Sequence, residues 1–104
     1  MEETRLREEL VQYGKKILQR GLVVGPGGNL SARFENCMLI SPSGFAFDEL
    51  HPDDYVKVSL QDGKVVAGGK PSSEILMHWF IYLERPDVEV VVHTHPPFVL
   101  GVIG

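Results

Sequence analysis

Val88-Glu89-Val90-Val91-Val92-His93-Thr94-His95-Pro96 decides how this chain is read, together with Ser72-Ser73-Glu74 one helix and one loop earlier. The β-branched run over 88–92 predicts a buried strand. On a strand, residues i and i+2 share a face, so His93 and His95 project together from its C-terminal end. Pro96 has no N–H and biases His95 toward an extended conformation, so strand pairing stops there. Two imidazoles on one face of a strand end can hold one metal ion. The same pair also suits hydrogen-bonded core histidines, and the spacing alone does not choose between these roles.

At 104 residues the chain is one domain at most, and folding at that size buries roughly 60–70% of the unfolded surface. Hydrophobic content of 43% and charged content of 23% fit a soluble globular protein. The net charge of −4 comes with no Lys/Arg stripe to neutralise phosphates, which argues against nucleic acid as a partner. Cys37 is the sole cysteine, so no intrachain disulfide forms and a reducing, cytoplasmic setting is expected. Met1-Glu2-Glu3-Thr4 lacks the basic and apolar regions of a signal peptide. No apolar run approaches the ~20 residues needed to span a bilayer.

Leu6, Leu10, Tyr13, Ile17 and Leu18 recur at helical spacing and predict an amphipathic helix over 3–21, with Gly21 just past its end. A glycine-rich loop runs from Val24 to Asn29. Leu30–Phe34 and Met38–Ile40 read as two strands around a Glu35-Asn36 turn. Ser41-Pro42-Ser43-Gly44 reads as a turn. Tyr55–Leu60 and Lys64–Ala67 read as a hairpin closed by Gln61-Asp62-Gly63. Ser72–Leu83 reads as a second helix with Ile75, Trp79, Tyr82 and Leu83 on its buried face. A third helix is expected from Pro97 onward.

Three turns offer neutral anion donors: Gly27-Gly28-Asn29, Ser43-Gly44, and Ser72-Ser73 at a helix N-terminus, where unpaired N–H groups favour negative charge. Each taken alone is equally well read as ordinary turn or cap chemistry. Glu74, in the first turn of that helix, suits either a dipole-stabilising carboxylate or a general base. His78, one turn later, suits a ligand, a partner for Glu74 or a packed core histidine, and the last two are favoured. His51 reads as exposed, and Cys37 as a small buried hydrophobe.

In order along the chain, Gly28-Asn29-Leu30-Ser31, Ile40-Ser41-Pro42-Ser43-Gly44, Lys70-Pro71-Ser72-Ser73-Glu74 and Val92-His93-Thr94-His95 resemble the class II aldolase/adducin family, which includes fuculose-phosphate aldolase. The resemblance implies an α/β fold, a three-layer αβα with a central, mostly antiparallel sheet. Residues 1–104 would form the N-terminal portion of a single such domain, assembled as a homotetramer. It implies that Gly28, Asn29, Ser43, Gly44, Ser72 and Ser73 hold a substrate phosphate. Glu74 would be the acid/base, and Glu74, His93 and His95 the groups around a Zn2+ ion. The implied reaction is cleavage of a fuculose-1-phosphate-like ketose phosphate to dihydroxyacetone phosphate and an aldehyde. Family alternatives are sugar-phosphate epimerisation and dehydration of methylthioribulose phosphate. The epimerases carry Asp where this chain has Glu74, which favours the aldolase. An adducin-like scaffold without catalysis is the non-enzymatic alternative, and intact Glu74, His93 and His95 stand against it. The family's third zinc-binding His and its longer C-terminal portion have no counterpart in these 104 residues, so the resemblance implies a C-terminally truncated chain.

Overall fold

Strands of three to six residues, too short to stand alone, are stabilised here by pairing side by side. The computed structural model describes residues 2–22 and 27–94. Strands β1 (Asn29–Phe34), β2 (Cys37–Ile40), β3 (Val56–Ser59), β4 (Val65–Ala67) and β5 (Val90–His93) form one sheet in the order β4-β3-β2-β1-β5. Every neighbouring pair is antiparallel. The register sets Ser31 opposite Ile40 on one side and opposite Val91 on the other, and Asn29 opposite His93.

Among the described residues, each face of the sheet carries one α-helix. Helix α1 (Glu3–Gln19) packs Leu10 and Val11 on Leu30, Ala32, Leu39, Phe47, Leu50 and Tyr55. Helix α2 (Ile75–Glu84) covers the other face, where Tyr82, Trp79 and Ile75 meet Met38, Ile40, Val56, Val58 and Val91. The result is the expected three-layer αβα arrangement. Gly21 takes the left-handed φ of 71° expected of a residue just past a helix end.

Four expectations change. In α1, Tyr13 is 52% exposed rather than core. The buried face is Arg7, Leu10, Val11 and Gly14. Gly14 is there because the Phe47 side chain occupies the space where a Cβ would sit, 3.1 Å away. Arg7 tolerates burial because its guanidinium donates to the carbonyls of Pro52 and Tyr55 at 3.0 and 2.7 Å and to Glu3 at 2.9 Å. Helix α2 starts at Ile75, so Ser72 and Ser73 lie in the turn before it and Glu74 is its N-cap rather than a first-turn residue. Leu83 is 53% exposed, because the face turned to the sheet is set by His78 and Tyr82 bonding to Ser31. Strand β5 is an edge strand among the described residues, and Val90 and Val92 are nearly half exposed. The cause is geometric: α1 does not reach over it, leaving a cavity of about 480 Å³ bordered by Leu6, Tyr13, Phe34 and Val90.

His95, Pro96, the helix expected from Pro97 and the start of the glycine-rich loop lie outside the described residues. Among the described residues no helix is long and apolar enough to cross a membrane.

Candidate functional site

Backbone hydrogen bonds gather three loops that are far apart in sequence. Leu30 N–H donates to Ser41 Oγ at 3.0 Å, and Ser41 N–H returns to the Leu30 carbonyl at 2.9 Å. Ser43 N–H donates to the Lys70 carbonyl at 3.1 Å and Ser72 N–H to the Ser41 carbonyl at 2.9 Å, with Pro42 bridged to Pro71. These ties hold Gly27, Gly28, Asn29, Pro42, Ser43, Gly44, Ser72, Ser73 and Glu74 around one cleft of about 90 Å³. Every residue expected at the anion site, and Glu74 with them, therefore lines the same small space. Gly44 has φ 85°, which lets the backbone turn against the cleft without a side chain.

Among the described residues the lining has hydroxyls, an amide and backbone groups, one carboxylate and no Lys or Arg. An anion here would be held by neutral donors and by the N-terminal end of α2, whose N-cap is Glu74. Ser72 is 7% exposed, and its Oγ accepts from Glu74 N–H at 3.1 Å. That bond fixes Glu74 against the serine turn. The Glu74 side chain makes no capping hydrogen bond of its own, so its half-buried carboxylate is not spent on the helix.

His93 ends β5 and is half-buried directly across from Asn29. It lies close enough to His78 that its charge disfavours protonation there. Imidazole and carboxylate are donor types that zinc accepts, so His93 and Glu74 fit the expected metal by donor chemistry. His95 lies outside the described residues, and among those described no three His, Cys, Asp or Glu side chains gather as a ligand set.

Sequence reasoning missed a buried polar chain beneath the cleft. His78 is fully buried and is a core histidine, bonded to the sheet rather than to Glu74. Its Nδ1 is 2.6 Å from Ser31 Oγ and its Nε2 is 2.5 Å from Asn29 Oδ1. Ser31 Oγ also lies 2.8 Å from the Tyr82 hydroxyl. Burial lowers the His78 pKa to about 4, with the His93 charge second, and raises that of Tyr82 to about 12. Both groups are neutral near pH 7. The available signal was a matched pair of spacings: Asn29 and Ser31 at i, i+2 on a strand, and His78 and Tyr82 at i, i+4 on a helix. Arg33 ties the far end of this layer, donating to the carbonyls of Val88, Tyr82 and Arg85 with its guanidinium 4.9 Å from the Tyr82 ring centre. His51 is exposed, and Cys37 is buried, as expected.

Residues 8–103 match the family described as Class II Aldolase and Adducin N-terminal domain. The 5-deoxy-D-ribulose 1-phosphate aldolase of Bacillus thuringiensis serovar kurstaki is 47% identical over 95 residues, covering 88% of this chain and 44% of that protein. The 3-oxo-tetronate 4-phosphate decarboxylase of Cupriavidus necator is 40% identical over 93 residues, covering 89% and 42%. Among solved structures, an L-fuculose 1-phosphate aldolase superposes with a TM-score of 0.81 at 39% identity, over 88% of this chain and 44% of that one. The chain spans about half the length of the curated relatives it matches.

Proposed function

Because the chain belongs to the family of class II aldolase and adducin N-terminal domains, we propose that it carries the phosphate grip and the acid/base group of a lyase that breaks a carbon–carbon bond in a small phosphorylated ketose. The observation that supports this reading is the convergence of Asn29, Ser43, Gly44, Ser72 and Ser73 on one cleft that also holds Glu74. Phosphate bound by these donors would fix the substrate, and its binding energy would place the reacting carbon at the Glu74 carboxylate.

The proposed substrate is a 1-phosphorylated deoxypentulose rather than fuculose 1-phosphate. Identity is 47% to the 5-deoxyribulose 1-phosphate aldolase and 39% to the fuculose enzyme. Retro-aldol cleavage of 5-deoxyribulose 1-phosphate sends the electrons of the breaking bond to the ketone. It leaves the enediolate of dihydroxyacetone phosphate and releases acetaldehyde. Glu74 would take the hydroxyl proton of the departing fragment as the carbon–carbon bond breaks and return it to the enediolate carbon. Loss of carbon dioxide from a 3-oxo-tetronate 4-phosphate leaves the same enediolate, so decarboxylation is the second reading, favoured by the relative named for it. His93 and His95, with Glu74, would hold Zn2+; bound there, it supplies electrostatic stabilisation of the enediolate oxygens. A cytoplasmic homotetramer is part of the same proposal.

The test is release of dihydroxyacetone phosphate from 5-deoxyribulose 1-phosphate. Glu74→Gln is expected to lose roughly 10²–10⁴-fold in turnover while still binding inorganic phosphate. Near-normal cleavage by Glu74→Gln overturns the acid/base assignment. Carbon dioxide release from the 3-oxo acid, with no cleavage of the ketose, decides for the second reading.

A further inference from the structure

Asn29 is 4% exposed, lines the cleft, and carries a side-chain amide that can present either an acceptor or two donors to a bound anion. Which it presents is decided underneath. Its Oδ1 faces His78 Nε2 at 2.5 Å. A carbonyl oxygen only accepts, so Nε2 carries the hydrogen. The ring is neutral, so Nδ1 is bare and accepts from the Ser31 hydroxyl at 2.6 Å. Ser31 has then spent its one hydrogen, and its oxygen accepts from the Tyr82 hydroxyl at 2.8 Å. All three members of the chain behind Asn29 are buried, Ser31 and His78 fully and Tyr82 to within 2%. Water therefore has no ready access to reverse it, and reversing one bond means reversing all of them.

We propose that Tyr82, Ser31 and His78 form a one-way hydrogen-bond relay that locks the Asn29 amide with its NH2 group toward the cleft, making His78 and Ser31 positioning residues for a phosphate ligand. The inference rests on the cleft being the phosphate site. The relay does not touch the ligand. It removes the orientation in which Asn29 would set a carbonyl oxygen against an anion, and so preorganises a donor that would otherwise have to turn on binding.

Two measurements on the protein test this. The first is the tautomer of His78, read by long-range proton–nitrogen correlation at neutral pH. The Nε2–H form is expected, and the Nδ1–H form overturns the relay. The second is a titration with inorganic phosphate, following binding by calorimetry. His78→Leu, which removes the donor behind Asn29, is expected to weaken phosphate by about tenfold, the scale of one hydrogen bond. His78→Gln can still place an N–H near the Nε2 position and is expected to stay within about threefold of the parent. A purely structural histidine would lower stability in both variants and leave phosphate affinity of the folded protein unmoved, which overturns the proposal. Ser43→Ala separates the two ideas. If it weakens phosphate and His78→Leu does not, the relay fails and the cleft stands. If the parent binds no phosphate, the cleft reading fails and the proposed role of the relay fails with it. Should His78→Leu not fold, the tautomer still decides.

Discussion

Acidification should destabilise this fold through His78 before it touches the carboxylates. The imidazole is fully buried against Asn29, Ser31 and Tyr82 and feels the charge of His93. Its pKa is lowered by burial from 6.5 to about 4. Above pH 6.5 residue 78 is neutral in both folded and unfolded chains, and the shift contributes nothing. As pH falls below 6.5 the unfolded chain takes up a proton there, and the folded chain does not until near pH 4. The unfolded state then binds more protons, so stability declines as pH falls. A gap of about 2.5 pH units at about 1.4 kcal/mol each gives a loss of about 3 kcal/mol by pH 4, and about 2 kcal/mol of it by pH 5. Glu3, held low by Lys57 and Arg7, and Asp87, held low by Arg85, lose their contributions only lower, as pH falls through the carboxylate range. Urea unfolding of the parent and of His78→Gln between pH 7.5 and 4.5 isolates residue 78, because the carboxylates are common to both. The parent curve should fall more steeply below pH 6.5. Parallel curves would show that burial does not hold His78 neutral.

Ser73→Ala should weaken inorganic phosphate, measured as a competitive inhibitor, by ~1.5–3 kcal/mol and barely change an unphosphorylated analogue. Ser72→Ala should show the same loss plus about 1 kcal/mol of stability, because Ser72 Oγ also accepts from Glu74 N–H. Arg7→Met should cost about 2–4 kcal/mol in denaturant unfolding, since it strips the donor from the Pro52 and Tyr55 carbonyls. Gly63→Ala should cost about 1–3 kcal/mol and shift the Trp79 fluorescence, because φ is 72° and the new Cβ would sit 3.0 Å from the indole ring.

Most of the fold was legible because its elements are short and strongly punctuated. Glu35-Asn36 and Gln61-Asp62-Gly63 mark hairpins that pair neighbouring strands, and the short turns set the register. The errors came from tertiary packing. Nothing local says that Phe47 fills the space over Gly14, or that Arg7 is buried and Tyr13 is not. The β-branched run at 90–92 reads as buried, but whether a strand is covered depends on the layer above it, and α1 stops short. The cleft residues were legible as donor-rich turns. Their convergence came only through the family resemblance, since it depends on Ser43 and Ser72 bonding across to Lys70 and Ser41.

The two faces of the sheet have different tasks, and this limits what a substrate of the proposed kind can vary. The α1 face is an aliphatic and aromatic core. The α2 face carries the polar chain from Tyr82 to Asn29 and ends at the cleft. Ser73 and Glu74 are adjacent, and the Ser72 hydroxyl fixes the Glu74 backbone against the serine turn. If the cleft holds phosphate and Glu74 moves the proton, the two groups start from adjacent backbone positions, and the span between them is short. On the proposed reading, any substrate must carry its enediolate carbon at a constant distance from its phosphate. A 1-phosphoketose and a 3-oxo-tetronate 4-phosphate both satisfy that condition, because each converges on the same three-carbon enediolate phosphate. They differ only in the fragment that leaves, an aldehyde or carbon dioxide, which departs on the side away from the phosphate. On that same reading, relatives named for both reactions match this chain at similar identity, 47% and 40%, because it would supply the part of the chemistry that they share.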